Sequence, residues 1–167
     1  MPSTTAQHLT RTSAAITQLL DAQTVAKLYD TDLFAWANVN AQLLREGKFD
    51  QIDVGHLIEE VQDMGKSEFR ALESHIQIVL MHLLKWQFQA VQRTASWQQS
   101  IKNSRRAVAK LLRDNPSFLP KLQAVVLEEY PAALENAVFE TGLPEQSFPS
   151  VCPYSVESVT NENSLPQ

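Results

Sequence analysis

Between Ser67 and Gln89 the apolar residues Phe69, Leu72, Ile76, Val79, Leu83 and Trp86 recur at helical spacing, and Ile78, Leu80, Met81, Leu84 and Phe88 fill most of the remaining faces. A helix without a solvent face has to be enclosed by others. The segment 67–89 is therefore predicted as the central helix of a bundle, with Ser67 as its cap. Before it, Ile16, Leu19, Leu20, Val25 and Leu28 suggest a first helix over Ala14 to Leu28. A second follows Asp30, with Leu33, Trp36, Ala37 and Leu44 as its stripe, Arg45 in the last turn and Gly47 as a left-handed stop. Asp53 is placed to cap a short helix whose stripe is Val54, Leu57, Ile58, Val61 and Met64, ending at Gly65.

After the polar connection from Gln87 to Ser96, a helix over Trp97 to Asp114 buries Trp97, Ile101, Val108, Leu111 and Leu112. Its opposite face carries Lys102, Arg106, Lys110 and Arg113, with Arg105 at the edge. Asn115-Pro116 ends it, because the residue before proline avoids helical angles. Ser117 is the predicted cap of a last long helix through Leu122, Val125, Val126, Tyr130, Leu134 and Ala137 to Thr141, stopped by Gly142. Pro131 lies inside this run and predicts a kink or break just before it. Pro144, Pro149, Pro153 and Pro166 punctuate the remainder of the chain, where Phe148, Val151, Cys152 and Tyr154 are expected to pack along the bundle. No segment reads as a strand. The expected fold is all-α, one helical domain of about five helices over 13–154, with a polar extension at 1–12 and a tail at 155–167.

Composition sharpens this picture in a few places. The chain has 167 residues, 44% hydrophobic and 20% charged, with four glycines, as expected of a helical globular domain. A lone cysteine, Cys152, gives neither an internal disulfide nor a metal pair, so packing is its expected role. No leader pattern or apolar run of membrane length is present, and a cytoplasmic protein is expected. Net charge is −5 but uneven: residues 1–84 carry 6 basic and 11 acidic side chains, 85–121 carry 8 and 1, and 122–167 carry 0 and 7. A cationic middle between acidic flanks fits pairing inside the bundle, or a basic patch for an acidic partner.

Several short motifs resemble one family. Leu57-Ile58-Glu59-Glu60-Val61, Met64-Gly65-Lys66-Ser67, Glu73-Ser74, His82-Leu83-Leu84-Lys85-Trp86, Ser96-Trp97, Asn115-Pro116-Ser117, Phe148-Pro149 and Cys152-Pro153-Tyr154 occur in the order found in the bacterial domain-of-unknown-function family number 29, which is abundant in cyanobacteria. The resemblance covers roughly Tyr29 to Tyr154. It implies an all-helical cytoplasmic protein with no assigned activity.

Among candidate chemistry, Glu60 borders the apolar stripe of its helix, while His82 and Lys85 lie one turn apart in the most apolar helix. A buried lysine or glutamate is costly unless paired, so Glu60 with Lys85 or His82 is expected to form a buried network fixing helix register. The competing reading is a small-molecule or metal pocket lined by Glu60, His82, Lys85, Trp86 and Trp97. For a metal, His75 and His82 are two helical turns apart, roughly 10.5 Å, too far to share one ion at about 2 Å each. Glu59, Asp63 and His75 remain weak ligand candidates, as does the stripe of Asp53, His56 and Glu60. No Gly-x-Ser-x-Gly elbow or phosphate-binding glycine loop occurs.

The basic face Lys102, Arg105, Arg106, Lys110 and Arg113 invites a nucleic-acid or antitoxin-like reading. Without a helix-turn-helix signature or stacking aromatics, and between acidic flanks, it fits an acidic protein partner better. The expectation is thus a protein-interaction or regulatory module in preference to an enzyme. No cofactor is expected, and homo-oligomer formation stays open.

Overall fold

The computed structural model describes residues 21–166. Among them are six α-helices, Ala22–Thr31 (α1), Leu33–Glu46 (α2), Val54–Phe88 (α3), Ala95–Asp114 (α4), Leu122–Thr141 (α5) and Val156–Thr160 (α6), and no strand. Short 3-10 turns at Phe49–Gln51, Ala90–Gln92, Pro116–Lys121 and Glu145–Ser147 join them. The fold is all-α, as predicted. The residues fall into two compact units, one up to Met64 and one from Gly65 onward, and α3 contributes its first turns to the former and the rest to the latter.

In the first unit α1 and α2 pack on the start of α3 around Val25, Trp36, Val39, Leu43 and Ile52, with Leu28, Tyr29 and Leu57 at the rim. Asp21 caps α1 by accepting from the Thr24 amide, and Asp32 caps α2 by accepting from that of Ala35. The expected cap, Asp30, lies inside α1 instead. Gly47 closes α2 at φ 68°, the left-handed stop foreseen from sequence. The predicted α2 stripe was rotated: Trp36 is buried, but Leu33, Ala37 and Leu44 face solvent while Val39, Asn40 and Leu43 turn inward. Of the first predicted helix, residues 14–20 lie outside the described residues, as does the extension 1–12.

The main correction concerns α3. Gly65 was expected to stop one helix and Ser67 to cap the next, yet one helix of 35 residues passes through both. Positive φ among the described residues is confined to Gly47 and Gly142, so Gly65 keeps right-handed angles. A glycine inside a helix costs only about 1 kcal/mol relative to alanine, and packing further along outweighs it.

In the second unit residues 79–85 of α3 are all buried, which is the enclosed central helix that the apolar pattern required. Around them pack Ile101, Val108 and Leu111 of α4, Val125, Val126, Tyr130, Ala133 and Ala137 of α5, and Val159 of α6. Thr94, two residues before the expected Ser96, caps α4 by accepting from the Trp97 amide. The helix expected to follow a Ser117 cap begins at Leu122, because Pro116–Lys121 forms a 3-10 turn. It runs on through Pro131 without a break. Pro131 and Leu127 are both exposed, so water can meet the Leu127 carbonyl that has lost its donor. The proline-rich segment does lie on this unit through Phe148 and Tyr154, whereas Val151 points to solvent. Tyr130 donates to the Pro149 carbonyl and Tyr154 to Gln87 Oε1, and α6 follows from a Ser155 cap. Cys152 is half-buried, and burial raises its thiol pKa.

Candidate functional site

The densest polar constellation in the first unit surrounds Asp53, expected from the sequence as a helix cap and as one end of a weak ligand stripe with His56 and Glu60. Its Oδ1 accepts from the His56 amide at 3.4 Å, the expected cap. Its Oδ2 accepts from Trp36 Nε1 at 2.9 Å and meets His56 Nδ1 at 2.5 Å, while its own amide donates to Asn40 Oδ1 at 3.0 Å. Asn40 Nδ2 in turn donates to the Trp36 carbonyl. Burial alone would raise the Asp53 carboxyl, but the bonds from His56 and Trp36 outweigh it and hold the group below its ordinary value. The bond to Asp53 pushes His56 the other way, above its ordinary value. The His56 ring is stacked on Tyr29, with centroids 4.0 Å apart and planes 16° apart, and Tyr29 meets Trp36 edge to face. Tyr29 donates to Glu60 Oε1 at 2.6 Å, which drives its phenol to a pKa of about 12.

Glu60 therefore has its partner within the first unit. Lys85, buried on α3 in the second unit, pairs instead with Glu140 of α5 and lies 4.5 Å from the Trp97 ring centroid. His82 hydrogen-bonds through Nδ1 to the Ile78 carbonyl at 2.9 Å, and burial lowers its pKa. Trp86 is half-buried under Arg93, whose guanidinium is 5.0 Å from its ring and whose Nε donates to its carbonyl. The structure thus brings Lys85 and Trp97 together but joins Glu60 to neither Lys85 nor His82. Glu59 and Asp63 are exposed, and His75 is half-buried with Nδ1 unpartnered. Among the described residues no three His, Cys, Asp or Glu are grouped to hold a metal.

The basic face of α4 is also differently placed. Arg105 is only 1% exposed and donates to the carbonyls of Ser158, Val159 and Ser164, closing the end of α6. Arg106 lies 3.9 Å from Glu162, Lys110 pairs with Asp114 at 2.6 Å, and Arg113 approaches the same Asp114. Lys102 points to solvent.

One surface was misread as core. Val54, Ile58, Val61 and Met64, predicted as a buried stripe, are each more than half exposed, and Leu57 is half-buried. With Leu44 and Phe49, the residues Val54, Ile58 and Val61 line an apolar groove of about 520 Å³, floored by Ile52 and Leu57. Asp53 lies between Ile52 and Val54, two of the groove's lining residues, and its cluster ties together the helices that form the groove. Asp53 ties Trp36 and Asn40 of α2 to the first turn of α3, and Tyr29 brings α1 onto the same turns through His56 and Glu60. Trp36 was expected as a core residue, but its bond to Asp53 and the parts played by Tyr29 and Asn40 carry no local signal, whereas Asp53-x-x-His56 at one-turn spacing does.

No helix among the described residues is long and apolar enough to cross a membrane. No curated protein and no solved structure matches the chain. The model of the family described as domain of unknown function DUF29 matches residues 28–165, which include both the Asp53 cluster and the groove, and the chain belongs to that family.

Proposed function

We propose that this protein is an interaction module whose first unit receives a basic amphipathic helix from a partner protein in the groove between Leu44, Phe49, Val54, Ile58 and Val61. The observation that carries this reading is the exposure of those five apolar side chains around one cavity, since clustered exposed apolar residues mark interaction surfaces. Val54, Ile58 and Val61 follow 4-3 spacing along α3, the seam against which a second helix packs. Charge selects the occupant. Residues 21–64 carry nine acidic and three basic side chains, a surplus that repels a second copy of the same unit and attracts a cationic helix. Covering these half-exposed side chains gives about 1 kcal/mol each, and burying a similar set on the incoming helix doubles this to roughly 10 kcal/mol before the costs of association, which fits a weak, reversible complex.

An acidic partner on α4 is less well supported, because Arg105 is buried and Arg106, Lys110 and Arg113 already have carboxylate neighbours. A ligand pocket at Glu60, His82 and Lys85 is likewise less well supported, since each group is already bonded within the chain.

The test compares two helical peptides with the same leucine pattern, one lysine-rich and one glutamate-rich, by titration calorimetry. The lysine peptide is expected to bind and the glutamate peptide not to. Ile58→Glu or Val61→Glu should weaken binding about tenfold or more. Equal binding of both peptides, or binding unchanged in both variants, contradicts the reading.

A further inference from the structure

A second cavity, of about 420 Å³ and wholly within the second unit, has a different chemistry. It lies where the 3-10 turn Pro116–Lys121 packs against α3. Lys66 and Arg70, one turn apart on α3, line it together with Lys121, Phe69, Phe118 and Glu73. Phe69 and Phe118 meet edge to face at 5.1 Å and form an apolar wall, with Phe118 buried. Lys121 Nζ stands 5.1 Å from the Phe69 ring centroid. Among the described residues neither Arg70 nor Lys121 has a carboxylate partner, unlike the paired cations of α4. At the far end, two turns or about 10.5 Å from Lys66, stands Glu73, which has Glu129 as a neighbouring carboxylate.

A cavity of this volume is of small-molecule size. The cavity offers the Arg70 guanidinium and the Lys121 ammonium to an anion, the aromatic rings of Phe69 and Phe118 to a planar group, and the Glu73 carboxylate to a hydrogen-bond donor. We propose that this cavity binds a small organic phosphate carrying a planar ring. The phosphate lies between Arg70 and Lys121, the ring packs on Phe69 and Phe118, and a ring amino group donates to Glu73. The site is independent of the groove in the first unit and stands or falls separately from it.

The test is an NMR titration of the full chain at low salt with adenosine monophosphate, phenyl phosphate and inorganic phosphate. Adenosine monophosphate and phenyl phosphate should saturate, the former more tightly, with shifts at Phe69, Arg70 and Lys121. Arg70→Glu and Lys121→Glu should each weaken binding about tenfold with helical content retained, whereas Lys102→Glu on α4 should not change it. If Arg70→Glu fails to fold, Lys121→Gln, at an exposed position, gives the same comparison. The proposal is overturned if no ring phosphate saturates at millimolar concentration, if the charge variants bind normally, or if inorganic phosphate binds as tightly as phenyl phosphate.

Discussion

Replacing Arg105 with methionine keeps much of the side-chain volume but removes the guanidinium that closes α6. Arg105 Nε donates to the Val159 carbonyl at 2.9 Å and one terminal nitrogen to that of Ser164 at 2.6 Å, while the other reaches Ser158. Hydrogen bonds involving a charged group contribute about 1.5–3 kcal/mol each. Three would give roughly 4–9 kcal/mol, but two terms reduce this. Ser158 and Ser164 are half-buried, so water can replace part of what their carbonyls lose, and burial depresses the guanidinium pKa, a desolvation cost that methionine does not carry. The expected net loss for Arg105→Met is about 2–4 kcal/mol by urea denaturation, with amide exchange in residues 156–166 accelerating first. Lysine should restore less than half, because one ammonium cannot serve three carbonyls in a fork. A loss below about 1 kcal/mol, or unchanged exchange in 156–166, would refute the assignment of Arg105 to closing this helix.

Gly65→Ala should stabilise the protein by about 0.5–1 kcal/mol in urea denaturation, since Gly65 is helical and an added Cβ meets nothing within 4 Å. Gly47→Ala at φ 68° should instead cost about 1 kcal/mol, and loss of stability in both variants would restore a stop at Gly65. Trp36→Phe removes one donor to buried Asp53 and should cost about 1–2 kcal/mol, with His56 and the Asn40 contact left in place. The two histidines should respond to pH in opposite senses. His56 has a raised pKa, so its pairing with Asp53 stabilises fully below the ordinary 6.5 and fades as pH rises through the folded value, and it also fades at low pH as Asp53 protonates through its lowered pKa. His82 has a lowered pKa, so its contribution is present above 6.5 and is lost as pH falls through the folded value. Stability profiles of His56→Gln and His82→Gln against wild type between pH 5 and 8 should therefore slope in opposite directions; slopes of the same sign contradict the two environments.

Local patterning made much of the fold legible. The run from Val79 to Lys85 could only be enclosed, Gly47 and Gly142 stop helices with positive φ, and Asp53 caps where its spacing placed it. Competition between local signals and longer-range packing was not legible. Gly65 reads as a stop because glycine usually follows a helix, but the cost of retaining it inside one is small against the packing of α3. Glu60 finds Tyr29 across 31 residues of sequence and Lys85 finds Glu140 across 55, separations at which periodicity carries no information. Arg105 borders both faces of α4, so spacing left its side unassigned until α6 supplied carbonyls for it. The groove escaped for a more general reason. Val54, Ile58 and Val61 have the spacing of a core stripe, and an exposed apolar face shows the same period as one buried within the chain.

If the apolar face of Leu44, Phe49, Val54, Ile58 and Val61 docks a basic helix, a matching peptide must perturb that face and not the buried core. The most direct measurement is a methyl-resolved NMR titration of the full chain with the lysine-leucine helical peptide. Saturable shifts are expected at Leu44, Val54, Ile58 and Val61, abolished by Ile58→Glu, with the methyls of Val79, Leu80 and Val126 in the buried core unmoved. Absence of saturable shifts, or shifts centred on α4 and the second unit while Val54, Ile58 and Val61 stay still, would contradict it.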